Sequence, residues 1–353
     1  MSLKILRRQI DRLDKEIINL LNKRANAAIK IAGIKHTTKQ SVYCPDRERE
    51  VLKRLSVINR GPVSPGALEA IYREIMSSSL ALEKNVKIAY LGPQATFTHQ
   101  AALKKFGSQV EYAPCESITD VFREVERGDC DYGVVPIENS VEGAVSHTMD
   151  MLVDSDLKIC SQVILDISHN LLALCSKERI KRVYSNPMVF GQCRQWLEDN
   201  LRGLERIEVS STTHAADLAS REKYSACIAS LLASRIYNLK VVARSIEDSP
   251  HNITKFLVIG NNDVPATGND KTSIMFSIKD KVGALHDMLI PFKKYKINLT
   301  KIESRPSKKK AWDYYFFVEF SGHKESELVK KALKQLENNC KFLKILGSYP
   351  IGE

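Results

Sequence analysis

The strongest constraint on this chain is an aliphatic stripe at its start. Leu6, Ile10, Leu13, Ile17, Leu20, Leu21 and Ile31 keep a spacing of three and four, and no proline precedes Pro45. A helix of about thirty residues cannot bury such a stripe alone, so it calls for partner helices and a second chain. Pro45, just before Asp46-Arg47-Glu48, suits the first turn of a second helix. Ser64 with Pro65 caps a third helix that runs to about residue 84.

The pattern changes after that helix. Over 85–260, short apolar runs such as VKIAYLG, YGVVPI, SACIAS and KFLVIG alternate with helix-like stretches such as SITDVFREVERG, the pattern of an α/β domain. Residues 261–270 read as a linker. From 271 to 353 the order is strand (272–278), helix (282–293), strand (297–303), strand (311–320), helix (325–337), strand (342–346), a ferredoxin-like βαββαβ order.

Composition excludes several classes. No run of 18 apolar residues exists, and the first sixteen residues lack the apolar centre of a signal peptide, so no membrane association is expected. Eight scattered cysteines form no C-x-x-C pair, and the eight histidines never fall three to five apart. A reduced, cytoplasmic protein without a structural metal is the expectation. The net charge of +11 is uneven, with 17 basic against 9 acidic residues in 1–84, 19 against 22 in 85–260, and 17 against 11 in 261–353. The basic N-terminal segment implies an anionic partner.

Placement decides which anion. Arg24 and Lys35 are 11 positions apart, so they project from nearly the same side of the first helix, roughly 16 Å apart along its axis. Two long side chains at that separation can close on one small anion. Arg7 lies about 100° round the axis from Arg24 and suits a pocket made with a second chain. Ser79 and Glu83 share a face of the third helix, and the second offers Arg47 and Glu48. Basic groups with two carboxylates and a hydroxyl suit a compact dianion that carries a hydroxyl, not a nucleic-acid track. On these residues alone, solvated charges on a long helix remain an equal reading.

The stretches LRRQIDRLDKEIINLLNKRANAAIKIAGIK, DRERE and REIMSSSLALE resemble the all-helical chorismate mutases across 1–84. The resemblance implies that Arg7 (from the partner subunit), Arg24 and Arg47 hold substrate carboxylates. It assigns Lys35 to the ether oxygen, Glu48 to the ring hydroxyl, and Ser79 to the pocket wall. That reaction is a pericyclic rearrangement, in which the protein binds the compact conformer and stabilises charge on the ether oxygen. Glu83 stands where bacterial relatives often carry glutamine. A protonated Glu83 could donate to that oxygen, so mutase activity is expected to fall as pH rises, and Glu83→Gln to flatten the profile. Cys44 replaces an acidic residue common in relatives.

In the middle segment, Val134–Ile137 is an apolar run ending in Glu138, Asn139, Ser140 and Glu142. Ligands of open α/β sheets bind beyond such strand ends. No dinucleotide fingerprint, P-loop or nucleophile elbow occurs, which leaves a cleft of Asn, Ser, Thr and Gln suited to hydrogen-bonding an oxyacid. YLGPQATFTHQAA, PIENSVEG and NITKF, in that order, resemble prephenate dehydratase over about 86–260. The resemblance implies two α/β lobes around a cleft, like the periplasmic binding proteins. It implies Asn139, Ser185, Gln192 and Thr254 as active-site groups, with Ser140 and Lys255 binding substrate. A threonine hydroxyl is too weak an acid to deliver a full proton, so Thr254 is expected to polarise the leaving oxygen. Glu138 or His169 is the candidate proton source, although His169 reads better as structural. Lys255 stands where the family usually has arginine, without the planar fork that grips a carboxylate twice.

VGALHDML and KIESRPSKK, in this order after a dehydratase, resemble the ACT domain of phenylalanine-sensing dehydratases. Gly283, Ala284 and Leu285 open a helix that can receive a carboxylate. Glu303, Ser304, Arg305 and Pro306 would face the amine and an apolar slot. Lys308, Lys309 and Lys310 read as a solvated turn. The expectation is a multidomain enzyme: an all-α mutase domain (1–84), a two-lobed α/β dehydratase domain (85–260) and an α+β ACT domain (271–353). Chorismate and prephenate are the substrates and phenylalanine the feedback inhibitor. The protein would need no cofactor and would form a homodimer or higher oligomer. Arogenate remains an alternative dehydratase substrate. A ligand-responsive regulator, the rival from another class, should start with two short helices around a tight turn instead of one long helix. A catalytically dead binding protein would share the cleft, but Thr254 and Asn139 argue against it.

Overall fold

The computed structural model describes residues 2–38, 43–278, 282–307 and 314–351. It divides into two compact units, residues 1–87 with 105–111, and residues 88–104 with 112–353.

The first unit holds α1 (Leu3–Thr38), α2 (Pro45–Ile58) and α3 (Pro65–Glu83). The local signals act as their chemistry requires. Pro45 and Pro65 occupy first turns, where a missing N–H costs no hydrogen bond, and the Ser64 hydroxyl accepts from Ala67 N at 3.2 Å. Along α1 only Ala28 is buried, so most of the aliphatic stripe lies open. The short 105–111 segment docks on α3. Gly107 has φ +73° and approaches so closely that a β-carbon would collide with Ser77. Beside it, Ser108 N donates to Glu74 Oε2 at 3.1 Å and Gln109 N to Ser77 Oγ at 3.0 Å.

The first lobe, which lies in the second unit apart from Lys87, the end of α4 and Glu111, is built from β1 (Lys87–Leu91), α4 (Phe97–Phe106), β2 (Glu111–Cys115), α5 (Ile118–Glu126), β3 (Tyr132–Asn139), β4 (Gly143–Ala144), α6 (Ser146–Asp154) and β5 (Lys158–Asp166). The chain then forms the second lobe with β6 (Asn170–Ala173), β7 (Arg182–Ser185), α7 (Pro187–Gln192), α8 (Arg194–Asn200), β8 (Glu205–Glu208), α9 (Thr212–Arg221), β9 (Ser225–Ala229), α10 (Leu231–Ile236) and β10 (Lys240–Ala243). It returns to the first lobe as β11 (Ile253–Gly260). The first sheet has the order β2-β1-β3-β11-β5, with β4 on β3, and the second β10-β6-β9-β7-β8. Strand β11 is antiparallel to both β3 and β5, and its apolar residues Phe256, Leu257, Val258 and Ile259 are buried. Two crossings join the lobes, and Ile167 N donates to Asn252 O between them at 2.8 Å.

The last part follows the expected order as β12 (Asp270–Ser277), α11 (Ala284–Lys294), β13 (Leu299–Pro306), β14 (Tyr314–Ser321), α12 (Glu327–Asn339) and β15 (Phe342–Pro350), in one antiparallel sheet ordered β13-β14-β12-β15. Ile274, Phe276, Val318 and Phe320 pack under the two helices. From the opposite face Met275, Phe317, Leu346 and Tyr349 join the core of the first lobe.

Several boundaries differ from expectation for local reasons. Thr254 lies inside β11 instead of before it, because that strand starts pairing with both neighbours at Ile253 and Thr254. Strand β15 continues four residues past the apolar run, since Gly347–Pro350 pair with β12 and bury Tyr349. The linker ends in a fixed turn, where the buried Asp270 carboxylate accepts from Thr267 N at 2.8 Å and Gly268 N at 3.1 Å. The expected strand start at 311 and Lys308, Lys309 and Lys310 lie outside the described residues.

Candidate active sites

In the helical unit, Arg24 and Lys35 line one cavity of about 500 Å³, as their eleven-residue spacing requires. Six basic side chains and two carboxylates, Glu48 and Glu83, face it. Arg24 Nη1 donates to Ser79 Oγ at 2.5 Å, and that hydroxyl donates to Ile75 O at 2.9 Å. The ion pair of Lys35 Nζ with Glu83 Oε2, at 3.1 Å, is mostly shielded from water. No sequence spacing joins these two groups, which the packing of α1 on α3 pairs. Arg47 reaches the cavity edge but pairs with Glu50 at 2.5 Å. Burial pushes the Cys44 thiol up despite Lys35 nearby, so this wall of the pocket is an uncharged thiol. Arg7 is on the exposed N-terminal part of α1 and does not line the cavity of its own chain.

Two residues that the sequence reading passed over complete the pocket. Glu48 Oε2 accepts from Lys105 Nζ at 2.9 Å and from the Tyr43 hydroxyl at 3.4 Å. Lys105 is 21 residues past the helical segment, and no spacing rule points to it.

In the second unit, register builds the site. Thr254 is the cross-strand partner of Asn139, and Lys255 of Glu138. Side chains alternate along a strand, so Asn139 and Thr254 share one face while Glu138 and Lys255 share the other. Asn139 Oδ1 accepts from Val141 N and Glu142 N at 2.9 and 3.1 Å, which fixes the amide. Its Nδ2 therefore donates to Thr254 Oγ1 and to Asn252 Oδ1, both at 2.7 Å. Asn252 Nδ2 donates to Gln192 Oε1 at 3.3 Å, and Gln192 Nε2 to Glu142 Oε1 at 3.1 Å. His169 Nε2 lies 2.7 Å from the same Gln192 oxygen and must supply the proton, because that oxygen is an acceptor. His169 Nδ1 is buried without a partner, and burial holds the ring's pKa below its ordinary value despite Gln192 and Glu247.

This network joins both lobes through Asn139, Gln192 and Thr254, and adds Asn252, Glu142 and His169. Asn252 was legible, being the first residue of the NITKF motif; Glu142 was visible in the run after β3. Two expectations meet a different arrangement. Ser185 is fully buried and donates to Ile228 O at 3.0 Å, since a strand hydroxyl without water needs the nearest carbonyl. Ser140 clasps the returning chain, donating to His251 O at 2.8 Å and accepting from Ile253 N at 2.9 Å.

On the opposite face Lys255 Nζ pairs with Glu138 Oε2 at 2.9 Å, and Lys301 of β13 reaches the same oxygen at 3.3 Å. Partial burial would raise the Glu138 pKa, but the two lysines outweigh it and hold the group below the ordinary carboxylate range. A carboxylate held ionised this way is a poor proton donor. Neutral His169 is no better.

In the ferredoxin-like part, Gly283 adopts φ +76° at the start of α11, with Ala284 buried and Leu285 at the surface. Alternation along β13 divides the expected effector residues. Glu303 pairs with Lys301 at 3.3 Å and Arg305 with Asp150 at 3.3 Å, whereas Ser304 and Pro306 are exposed.

A cationic helical cavity, a two-lobed cleft lined with hydrogen-bonding groups and a ferredoxin-like domain on one chain define a multidomain enzyme for small oxyacids. Family models match each part: chorismate mutase type II over residues 6–84, prephenate dehydratase over 88–264 and the ACT domain over 272–338. The chain is 52% identical to the bifunctional chorismate mutase/prephenate dehydratase of Aquifex aeolicus, over 99% of this chain and 98% of that protein. It is 45% identical to the enzyme of the same name from Pseudomonas aeruginosa, with the same coverage. The crystal structure of prephenate dehydratase from Arthrobacter aurescens in complex with L-Phe matches with a TM-score of 0.70 and 31% identity, covering 75% of this chain and 90% of that one. The chain belongs to the bifunctional chorismate mutase/prephenate dehydratase family.

Proposed function

We propose that the protein rearranges chorismate to prephenate in its helical unit, then converts prephenate to phenylpyruvate in the two-lobed cleft under feedback inhibition by phenylalanine. The observation that carries this is one chain holding both a strongly cationic cavity sized for a small dianion and a cleft lined with hydrogen-bonding amides and a hydroxyl.

In the mutase site Arg24 and Arg47 hold the carboxylates, together with Arg7 from a second copy of the chain. Ser79 orients Arg24 and lines the wall, and Glu48 takes the ring hydroxyl. Lys35 turns from Glu83 to the ether oxygen as the C–O bond stretches, so that charge developing there meets a cation. In the dehydratase site Thr254 polarises the leaving ring hydroxyl. Its oxygen accepts from Asn139, which leaves its own O–H to donate and supports this role. The carboxylate on the ring carbon opposite the hydroxyl leaves as carbon dioxide, the electrons of its C–C bond make the ring aromatic, and hydroxide departs and becomes water by taking a proton from solvent, while the pyruvyl side chain keeps its own carboxylate. Gln192 and Asn252 hold Asn139 and the lobes in place. Gly283, Ala284 and Leu285 with Glu303, Ser304, Arg305 and Pro306 form the phenylalanine site. Eight free thiols and the absence, among the described residues, of a helix able to cross a membrane support the cytoplasm as its location.

The test supplies purified protein with chorismate alone and follows chorismate, prephenate and phenylpyruvate, with and without phenylalanine. Phenylpyruvate that appears, and slows with phenylalanine, is the expected result. Prephenate that accumulates would overturn the second step and make arogenate the next substrate to try. Unchanged chorismate would overturn the first.

A further inference from the structure

Glu48 is the carboxylate assigned to the ring hydroxyl, and its cation comes from outside the three mutase helices. Lys105 Nζ lies 2.9 Å from Glu48 Oε2, with both side chains about four-fifths buried. The lysine is held there. Phe106 packs on Tyr43 with ring centroids 4.9 Å apart, and Lys105 Nζ lies 5.8 Å over the same Tyr43 ring. Gly107 makes its close approach to Ser77, and Ser108 and Gln109 bond to Glu74 and Ser77 on α3. Lys105 and Phe106 also line the cavity itself.

We propose that Lys105 is a positioning residue of the mutase site, which fixes Glu48 for the substrate's ring hydroxyl, so that the site is completed by a segment outside residues 1–84. This rests on the reading that Glu48 meets that hydroxyl. A carboxylate that accepts from Lys105 and Tyr43 through one oxygen keeps its other oxygen for the ligand. The lysine also offsets the negative charge that Glu48 brings to a pocket meant for a dianion.

The experiment measures mutase kcat and KM in the full chain for Lys105→Met, Lys105→Arg, Glu48→Gln and the Glu48→Gln/Lys105→Met double variant, with prephenate-to-phenylpyruvate turnover and Tm as checks of folding. Loss of a charge-assisted contact is expected to lower mutase kcat/KM roughly ten- to hundredfold in Lys105→Met. Lys105→Arg should recover most of it, dehydratase turnover should stay at the parent rate, and the double variant should be no worse than Glu48→Gln alone. Parent-like mutase kinetics in Lys105→Met, with Glu48→Gln impaired, would overturn the proposal and leave the site reading intact. Fully additive losses would also overturn it, since Lys105 would then act without Glu48. An unimpaired Glu48→Gln would instead sink the assignment of Glu48 to the substrate.

Discussion

Thr254 and His169 are both buried in the dehydratase network, at 8% and 2% exposure, yet their chemistry predicts different failures. Thr254→Val keeps the shape and removes the donor. Loss of a preorganised donor to a developing oxyanion costs about a hundred- to thousandfold in kcat. Thr254→Val should therefore lose that much dehydratase kcat with little change in KM, and Thr254→Ser should retain most of it. Equal losses in the two variants would argue against a hydroxyl role. His169 is neutral in the folded protein because burial lowers its pKa, while the unfolded chain binds a proton below about 6.5. The unfolded state then takes up more protons, so stability falls as pH drops from that value toward the lower folded pKa. His169→Gln should flatten this acid limb of Tm against pH, even if its Tm at pH 8 is lower. A limb of unchanged slope would place the titrating group elsewhere.

At the scale of elements, legibility depended on how local each signal was. Pro45, Ser64 and Pro65 announced the helix starts because caps act within one turn. Arg24 and Lys35 could be brought together because a helix fixes their separation in advance. Asn139 and Thr254 were named through family motifs, but their direct bond depends on the pairing of β3 with β11, 115 residues apart. The same pairing turns Lys255 toward Glu138, which no sequence spacing reveals. Lys105 and Lys301 escaped for a related reason, since each serves a carboxylate far away in sequence. Gly347 shows how tightly such distant elements meet. A β-carbon there would overlap the Ile159 backbone, 2.8 Å from its nitrogen, where β15 crosses β5. Overpacking of this kind costs about 1–3 kcal/mol. Gly347→Ala should lower the urea midpoint and weaken inhibition by phenylalanine; a parent-like midpoint and inhibition curve would mean that the two strands can separate freely.

For the molecule as a whole, the open face of α1 supports the proposal that the mutase is a property of two chains. Leu6, Ile10, Leu13 and Ile17 are each more than two-fifths exposed on a helix that carries Arg7 outside its own cavity. The cover we propose for an aliphatic stripe of this length is a copy of itself, since a two-fold axis would match the stripe with its own repeat and bring each Arg7 to the other chain's pocket. The consequence is intersubunit complementation. Arg7→Ala and Arg24→Ala should each abolish most mutase activity in a homodimer, because every site then lacks one arginine. Co-expressed chains form mixed dimers in which one of the two sites has Arg24 from the first chain and Arg7 from the second. Random pairing makes half the dimers mixed, so mutase activity should recover to about a quarter of the parent value. Dehydratase turnover, measured on the same samples with prephenate, gives the concentration of folded chains. Recovery near a quarter would show that Arg7 works across the subunit boundary. Mutase activity no higher than in the separate variants, with mixed dimers verified by differently tagged chains, would sink the shared site and require α1 to be covered in some other way.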